Sequence, residues 1–271
     1  SFNKTTLSLD RLLLQSNVGK VFFKNKRVLE VGSGNGRFTE ILLSLGASVV
    51  TVDYTSAIDA NLKNNISKGN VIFLQADLFQ LPIKKNSFDI VICYGVIQHT
   101  GNNEKAINEL MKYNNEEGII SIDTYSNELK YYNPFIYLIR PFFSKLKKTH
   151  KQKLKIVERF INFIFPLQLW ILKKLHNKKG LFKYLRFIIN RSPNSVYGIK
   201  LFLDNKISKN LAYKWSIMDT FDAWAGKHDD PISKKKWKEI LNYFAKKNNF
   251  KIIKISESGQ GNFAVLKKLL K

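Results

Sequence analysis

Cysteine, acidic residues and long apolar runs are all scarce in this sequence of 271 residues. The single cysteine, Cys93, excludes a disulfide framework and a metal site built from cysteines, and we expect no metal. The most apolar run, 160–172, is shorter than the roughly 20 residues of a membrane span and contains Pro166. Residues 1–14 lack the basic and apolar segments of a signal peptide. We therefore expect a cytoplasmic protein, and attachment to the inner face of a membrane stays open.

The shortage of acids leaves 45 lysines and arginines against 21 acidic residues, a net charge of +24. Most of this excess lies in residues 131–215, which hold 19 basic residues but only Glu158 and Asp204 as acids. Such a charge predicts attraction to polyanions or to anionic membrane surfaces. The same segment is rich in bulky apolar residues. We predict three parts: the first part of an α/β core (1–127), a basic, aromatic-rich helical insert (128–215) and a C-terminal return that completes the core (216–271).

The first part alternates short apolar strands with segments of helical length. We predict strands at 27–31, 48–52, 70–74, 88–93 and 118–123, with helices at 37–45, 57–66 and 104–113. After the insert we predict a helix at 234–248 and strands at 251–255 and 263–266. This alternation is typical of a parallel sheet with helices on both faces, in which ligands bind beyond the carboxyl ends of the strands. We expect several helices in the insert, interrupted near Pro166, Gly180 and Pro193, forming a lid over that edge.

A glycine-rich loop, 32–36, follows the first strand and opens a helix. Its spacing is G-x-G-x-G rather than the G-x-G-x-x-G that serves the pyrophosphate of a dinucleotide, so it favours a nucleoside ligand without phosphates. Asp53, at the end of the second strand, is suited to accept hydrogen bonds from ribose hydroxyls. Asp77, after the third strand, is suited to accept from an adenine amino group.

These motifs resemble those of the class I S-adenosylmethionine-dependent methyltransferases, with matching segments at 28–39, 52–53, 75–82, 87–91 and 95–100. The resemblance implies S-adenosylmethionine as cofactor and S-adenosylhomocysteine as product. It implies a Rossmann-like α/β fold with seven strands, mostly parallel, with an antiparallel last strand and the helical insert after strand five. The residues implied to bind the cofactor are Glu30, Gly32, Ser33, Gly34, Gly36, Arg37, Asp53, Tyr54, Asp77, Leu78, Tyr94 and Gly95. Residues 218–224 are similar to a bacterial subgroup associated with surface-polysaccharide and natural-product methyltransferases.

Methyl transfer to a hydroxyl requires removal of a proton. His99 follows the fourth strand and is a candidate general base, since imidazoles in general titrate near pH 6.5. The alternative is that His99 only orients its loop. Asp219, Asp222 and His228 form a second group of candidate catalytic residues, with Trp224 and Tyr125 as candidate acceptor contacts; the alternative for the cluster around residues 219–230 is helix capping and packing.

We therefore expect O-methylation of a sugar, a lipid-linked glycan or another hydroxylated small metabolite. The alternatives are an RNA methyltransferase that uses the basic insert, or a non-catalytic cofactor-binding or membrane-associated protein. Expected partners are a small-molecule or lipid-linked acceptor and an anionic membrane surface. Nucleic acid ranks below these, because the aromatic residues of the insert are mixed with leucine and isoleucine runs. The acceptor, the methylated atom and the oligomeric state stay open.

Overall fold

The computed structural model describes residues 6–128, 133–226, 229–258 and 261–270. The chain divides into two compact units. The first unit comprises residues 1–128 and 228–271, so both ends of the chain contribute to it, and the second comprises residues 129–227.

A seven-stranded sheet forms the centre of the first unit. Its strands are β1 (Arg27–Val31), β2 (Ser48–Asp53), β3 (Val71–Gln75), β4 (Phe88–Cys93), β5 (Asn114–Tyr125), β6 (Phe250–Ser258) and β7 (Gly261–Lys268). The strand order is β3-β2-β1-β4-β5-β7-β6. Strands β1 to β5 pair in parallel, whereas β7 is antiparallel to both of its neighbours. The predicted fold class, a mostly parallel Rossmann-like sheet with an antiparallel last strand, is confirmed.

Each face of this sheet carries its own apolar core. The helices of the unit are α1 (Leu7–Ser16), α2 (Arg37–Ser44), α3 (Ala57–Asn65), α4 (Asn103–Met111) and α10 (Lys234–Lys247). Because side chains alternate along a strand, Val28 of β1 packs in the core that includes Leu12 of α1, while Leu29 packs in the core that includes Trp237 of α10. Helices therefore cover both faces, as predicted. Helix α1 is an element that the sequence patterns did not predict.

The second unit is helical. Its helices are α5 (Pro134–Lys145), α6 (His150–Leu175), α7 (Leu181–Ile189), α8 (Tyr197–Leu203) and α9 (Lys209–Ala225). The break expected near Pro166 is wrong, since α6 continues through that residue. Gly180 directly precedes α7, and Pro193 lies between α7 and α8, so breaks do occur near both of these residues.

The boundary predicted after residue 215 falls inside α9. Ser216, Thr220 and Trp224 lie on the buried side of this helix. The hydroxyl of Thr220 accepts a hydrogen bond from the backbone N–H of Ser195, which belongs to the same unit. The second unit accordingly extends to residue 227, and residues 216–227 are not part of the α/β core.

Among the described residues, none of the helices combines the length and the apolar character that crossing a membrane demands.

Candidate functional site

Several strands of the first unit end at one edge of the sheet, where their last residues contact each other directly. The backbone N–H groups of Gly32 and Ser33, just after β1, donate to the carbonyl oxygen of Val52 in β2, at 2.7 and 3.1 Å. The N–H of Gly34 donates to Oδ2 of Asp53 at 2.7 Å. The glycine loop and Asp53, both selected from the sequence, are therefore in direct contact.

The glycine loop combines close packing with an exposed backbone. A Cβ atom on Gly32 would lie 2.0 Å from Cγ2 of Val96, and one on Gly36 would lie 2.0 Å from Oδ1 of Asn61. Gly34 has a φ of +54°, and a Cβ there would meet no atom within 4 Å. Gly32 and Gly36 thus allow the loop to pack tightly, while Gly34 leaves room for a ligand to approach the backbone. Arg37 follows the loop as the first residue of α2, with its guanidinium 4.8 Å from the centre of the Phe38 ring.

Glu30 is a buried carboxylate beneath this loop, only 3% exposed. Its Oε2 accepts hydrogen bonds from the hydroxyls of Thr39 and Thr51, at 2.5 and 3.3 Å. Its Oε1 has no hydrogen-bond partner among the described residues. Burial raises the pKa of Glu30 from 4.5 to about 7. A buried oxygen without a donor favours the binding of a ligand that brings one.

Asp53 presents a carboxylate at the end of β2. Its Oδ1 accepts from the backbone N–H and the hydroxyl of Thr55, at 2.8 and 2.7 Å, in addition to the contact of Oδ2 with Gly34. Tyr54, the next residue, is exposed. Since each carboxylate oxygen can accept more than one hydrogen bond, Asp53 retains capacity for ligand hydroxyls.

Asp77 follows β3 and begins a short 3-10 helix, Leu78–Gln80. Its Oδ1 accepts from the backbone N–H of Phe79 at 2.9 Å. The side chain of Leu78 is buried in the apolar core of the first unit. Asp77 therefore caps the 3-10 helix, and the side chain of Leu78 packs in the apolar core.

The end of β4 is tied to the end of β5. The N–H of Gly95 donates to Oδ1 of Asp123 at 2.5 Å, and the buried Tyr94 hydroxyl lies 2.6 Å from Oγ of Ser121. A Cβ on Gly95, whose φ is +73°, would meet nothing within 4 Å. Oδ2 of Asp123 also accepts from Nη2 of Arg11 in α1, at 2.6 Å.

Sequence reasoning missed Asp123 and Arg11. Arg11 is 112 residues away from Asp123 along the chain, and its guanidinium also lies 5.7 Å from the ring centres of both Phe38 and Tyr94. The position of Asp123 at the end of a predicted strand is the one signal that could have indicated it. No local pattern marks Arg11.

His99 lies in the loop after β4, at the end of a 3-10 turn. Its side chain is exposed, and its ring meets the ring of Tyr125 edge to face, with 5.7 Å between centroids. Gln98 beside it is fully buried and accepts from the backbone N–H of Tyr125 at 3.4 Å. The structure therefore brings together two residues that the sequence selected separately, His99 and Tyr125.

A family model described as "Methyltransferase domain" matches residues 29–122, the segment that carries this edge. A ubiquinone biosynthesis O-methyltransferase from Rickettsia akari is 31% identical over 207 residues, which cover 72% of this chain and 67% of that protein. This chain belongs to the class I S-adenosylmethionine-dependent methyltransferases. Its cofactor is S-adenosylmethionine.

Other relatives of this methyltransferase match more locally. A probable S-adenosylmethionine-dependent methyltransferase from Mycobacterium tuberculosis is 27% identical over 97 residues, 36% of this chain. The chain spans about a third of the length of that relative (35%). A structure of a SAM-dependent methyltransferase from Methanosarcina mazei covers 92% of this chain and 94% of its own, with 13% identity and a TM-score of 0.50, which supports the fold.

The residues at this edge fit the cofactor. S-adenosylmethionine carries an ammonium group, ribose hydroxyls and an adenine amino group, all of which are hydrogen-bond donors. The acceptors available to them are the carboxylates of Asp53 and Asp77 and Oε1 of Glu30, which has no hydrogen-bond partner in the described part of the chain. The free space beside Gly34 and Gly95 allows a ligand to lie against the backbone there. When bound, the cofactor would supply a methyl group on a sulfonium, with a neutral thioether as the leaving group.

Two residues of the second group of candidates, Asp219 and Asp222, belong to the helical unit. Asp219 is half-buried in α9 and accepts from Oγ of Ser195 at 3.2 Å, and Asp222 is exposed on the same helix. His228 lies outside the described residues. Asp219 and Asp222 thus belong to the helical unit, whereas His99 belongs to the α/β unit.

Trp224 has a packing position rather than a position suited to stacking on an acceptor. Its ring is 6% exposed and contacts the rings of Phe143 and Phe160, at 5.2 and 5.3 Å between centroids. Its Nε1 donates to the carbonyl oxygen of Pro193 at 2.7 Å. Residues of the helical unit surround the Trp224 ring, and its N–H is already hydrogen-bonded. The prediction that Trp224 contacts an acceptor is therefore corrected: this side chain belongs to the core of the helical unit.

Proposed function

We propose that this methyltransferase transfers the methyl group to a hydroxyl oxygen, with His99 as the general base. The observation that carries this proposal is the place of His99: an exposed imidazole after β4, against the Tyr125 ring at the end of β5. These two strand ends flank Gly95, where the backbone is open to a ligand. An imidazole at that edge is suited to take a proton from an acceptor hydroxyl.

The chain's own residues have two tasks in this reaction. The glycine loop, Glu30 and Asp53 hold and orient the cofactor, which removes most of the entropic cost of aligning the reacting atoms. His99 accepts the hydroxyl proton as the oxygen attacks, so that no alkoxide has to form in advance. Tyr125 limits the movement of the His99 ring and borders the acceptor.

The acceptor class that we propose is a sugar, a lipid-linked glycan or another hydroxylated metabolite. Two points support it: the name of the Rickettsia akari relative includes O-methyltransferase, and residues 218–224 resemble those of methyltransferases from surface-polysaccharide and natural-product clusters. The roles predicted for Asp219, Asp222 and His228 stay predictions from the sequence, and this proposal assigns them no step.

The test measures transfer of a tritiated methyl group from S-adenosylmethionine to free sugars, nucleotide-activated sugars and polyprenyl-phosphate-linked sugars. Once an acceptor is found, we compare the wild type with His99→Ala and His99→Gln. Both substitutions should lower kcat by about 10²- to 10⁴-fold, the usual contribution of a general base. Affinity for S-adenosylhomocysteine should change by less than about twofold, because His99 is not among the cofactor residues.

The matched control is His150→Gln, which removes an exposed imidazole from the other unit and should leave kcat unchanged. Glutamine preserves much of the shape and hydrogen bonding of histidine but takes up no proton near neutral pH. Near-normal activity of His99→Gln would therefore contradict the base role, and label found only on nitrogen or on RNA would contradict O-methylation of small acceptors.

A further inference from the structure

Helix α7 exposes its apolar face to solvent. Leu181, Tyr184, Leu185 and Ile188 follow the i, i+3, i+4, i+7 spacing of one helical face, and all four are exposed. Leu181 is 73% exposed and Ile188 is 64% exposed. None of the residues of α7 is buried. An amphipathic helix normally turns this face toward a core, so its exposure indicates that the face meets something outside the chain.

The preceding helix carries a similar exposed stripe. Phe163, Leu167 and Trp170 of α6 are spaced by four and three residues, and the Phe163 ring is 80% exposed. The two helices are linked where α6 ends, because Nη1 of Arg186 donates to the carbonyl oxygens of Leu175 and Lys178. We call the apolar face of α7 together with the exposed stripe of α6 the apolar surface.

Cations surround the apolar surface. Residues 163–191 contain seven lysines and arginines and no acid. Several of these cations lie over exposed rings: Lys174 is 3.9 Å from the centre of the Trp170 ring, and Arg191 is 3.4 Å from that of Phe187. Long basic side chains that extend beside aromatic rings are typical of proteins at the boundary between lipid tails and headgroups.

A basic cavity of about 400 Å³ adjoins these helices. Its lining residues include Lys178, Lys179, Arg186 and Lys200, with Asp204 as the only acid in the lining. Burial lowers the pKa of Lys200, so an anion close to that ammonium would restore favourable interactions that burial removes. Phosphate groups have the negative charge that would balance the four cations of this lining.

We propose that α7 and the C-terminal half of α6 form a docking surface for an anionic phospholipid bilayer. The exposed apolar side chains would enter the headgroup–acyl boundary, and the surrounding cations would contact anionic headgroups. A nucleic acid would match the charge but not the exposed leucine, isoleucine and phenylalanine side chains, since nucleic-acid interfaces are more polar. The proposal goes beyond methyl transfer, and it holds whether or not the acceptor is lipid-linked.

The experiment uses the full chain and large vesicles of phosphatidylcholine, with or without phosphatidylglycerol. We expect the protein to co-sediment with the anionic vesicles and not with phosphatidylcholine alone, and added salt should weaken binding because exposed charges are screened. Trp170 is 57% exposed, whereas Trp215 is half-buried and Trp224 and Trp237 are buried. Brominated lipids should therefore quench its fluorescence, and Trp170→Phe should remove most of that quenching.

The decisive variant is Leu181→Glu with Ile188→Glu, which places two charges on the exposed face of α7 without entering a core. We expect vesicle affinity to fall at least about tenfold. Burying carboxylates at the headgroup–acyl boundary is costly, and each unit by which the net positive charge falls weakens binding about fivefold. The matched control is Val21→Glu with Ile66→Glu, which makes the same charge change at exposed apolar positions of the first unit. It should bind vesicles at least several-fold more tightly than the α7 variant.

Three outcomes would overturn the proposal. The first is that the wild type does not bind anionic vesicles but does bind a single-stranded RNA. The second is equal loss of vesicle binding in the α7 variant and in the control. The third is a dimer of the wild type, seen by light scattering, that the α7 variant dissociates, because a second copy would then cover the apolar surface.

Discussion

Asn61 is the residue that joins the glycine loop to the interior of the first unit. Its Nδ2 lies within hydrogen-bonding distance of the hydroxyls of Ser33, Thr39 and Thr51, at 3.0, 2.8 and 3.0 Å. Two of these hydroxyls also contact Glu30. A buried network of this kind is rigid when all of its members are paired, and it holds the loop backbone in a fixed shape. Oε1 of Glu30 is the exception, since it is buried and no described residue donates a hydrogen bond to it, so the cost of its burial is not offset.

The burial of the Glu30 carboxylate should make the unfolding free energy of the chain depend on pH. The pKa of Glu30 is raised to about 7, so its contribution to stability is fully present below its unfolded pKa of 4.5 and is lost as the pH rises through about 7. The wild type should therefore lose about 2 to 3 kcal/mol of unfolding free energy between pH 5 and pH 8 that Glu30→Gln retains. Urea unfolding of the cofactor-free chain at both pH values measures the difference.

Glu116→Gln is the matched control, because Glu116 is exposed and the same proton-binding group is removed there. It should show the wild-type dependence on pH. If Glu30→Gln and the wild type lose equal stability over this range, Glu30 is not the buried carboxylate described above.

The sequence predicted the positions of Gly34 and Asp53 well because Gly34 lies in the loop just after a recognisable strand and Asp53 ends the next one. The contact of Arg11 with Asp123 was missed, since it joins helix α1 to the end of β5, 112 residues away along the chain, and α1 shows no motif that would mark it. Gln98, which is buried although it is polar, was also missed as a link to β5. Local patterns reveal strand ends, whereas long-range pairs depend on the folded topology.

Among the elements, α6 shows how a buried stripe overrides a helix breaker. Its buried residues, Val157, Ile161, Phe165, Gln168, Leu172 and Leu175, recur every three or four positions on both sides of Pro166. Pro166 itself is exposed, so its ring does not interrupt the packing. The apolar contacts made by the two halves of the helix outweigh the lost backbone hydrogen bond, which explains why a break predicted from proline alone was wrong.

Replacement of this proline should therefore stabilise the helical unit. Pro166→Ala restores a backbone donor within the helix and removes a steric conflict, and we expect the unfolding free energy to rise by about 1 to 3 kcal/mol. Pro134→Ala is the matched control: Pro134 is the first residue of α5, where a proline costs little, and its replacement should not stabilise. Denaturant unfolding followed by tryptophan fluorescence measures both, and a destabilised Pro166→Ala would contradict this account of α6.

At the scale of the whole molecule, the composition indicated the basic segment but placed its C-terminal boundary too early along the chain. The run of basic residues stops near 215 because Asp219 and Asp222 follow, yet α9 continues to Ala225. Charge composition reports the solvent-exposed faces of a helix, whereas the buried side chains of α9 determine to which unit it belongs. The α/β core is completed from the other end of the chain by β7, which pairs with β5, and by β6, which pairs with β7.

The central claim is that S-adenosylmethionine binds at the carboxyl edge of this sheet, with Asp53 among its partners. Calorimetric titration with S-adenosylhomocysteine tests it most directly, on the wild type, on Asp53→Asn and on Asp59→Asn, which removes an exposed acid from the nearby helix α3. We predict one site in the wild type and in Asp59→Asn, and an affinity about 10- to 100-fold lower in Asp53→Asn, as expected for losing hydrogen bonds to a charged group. Absence of binding heat in the wild type, or equal affinities for all three proteins, would contradict the claim.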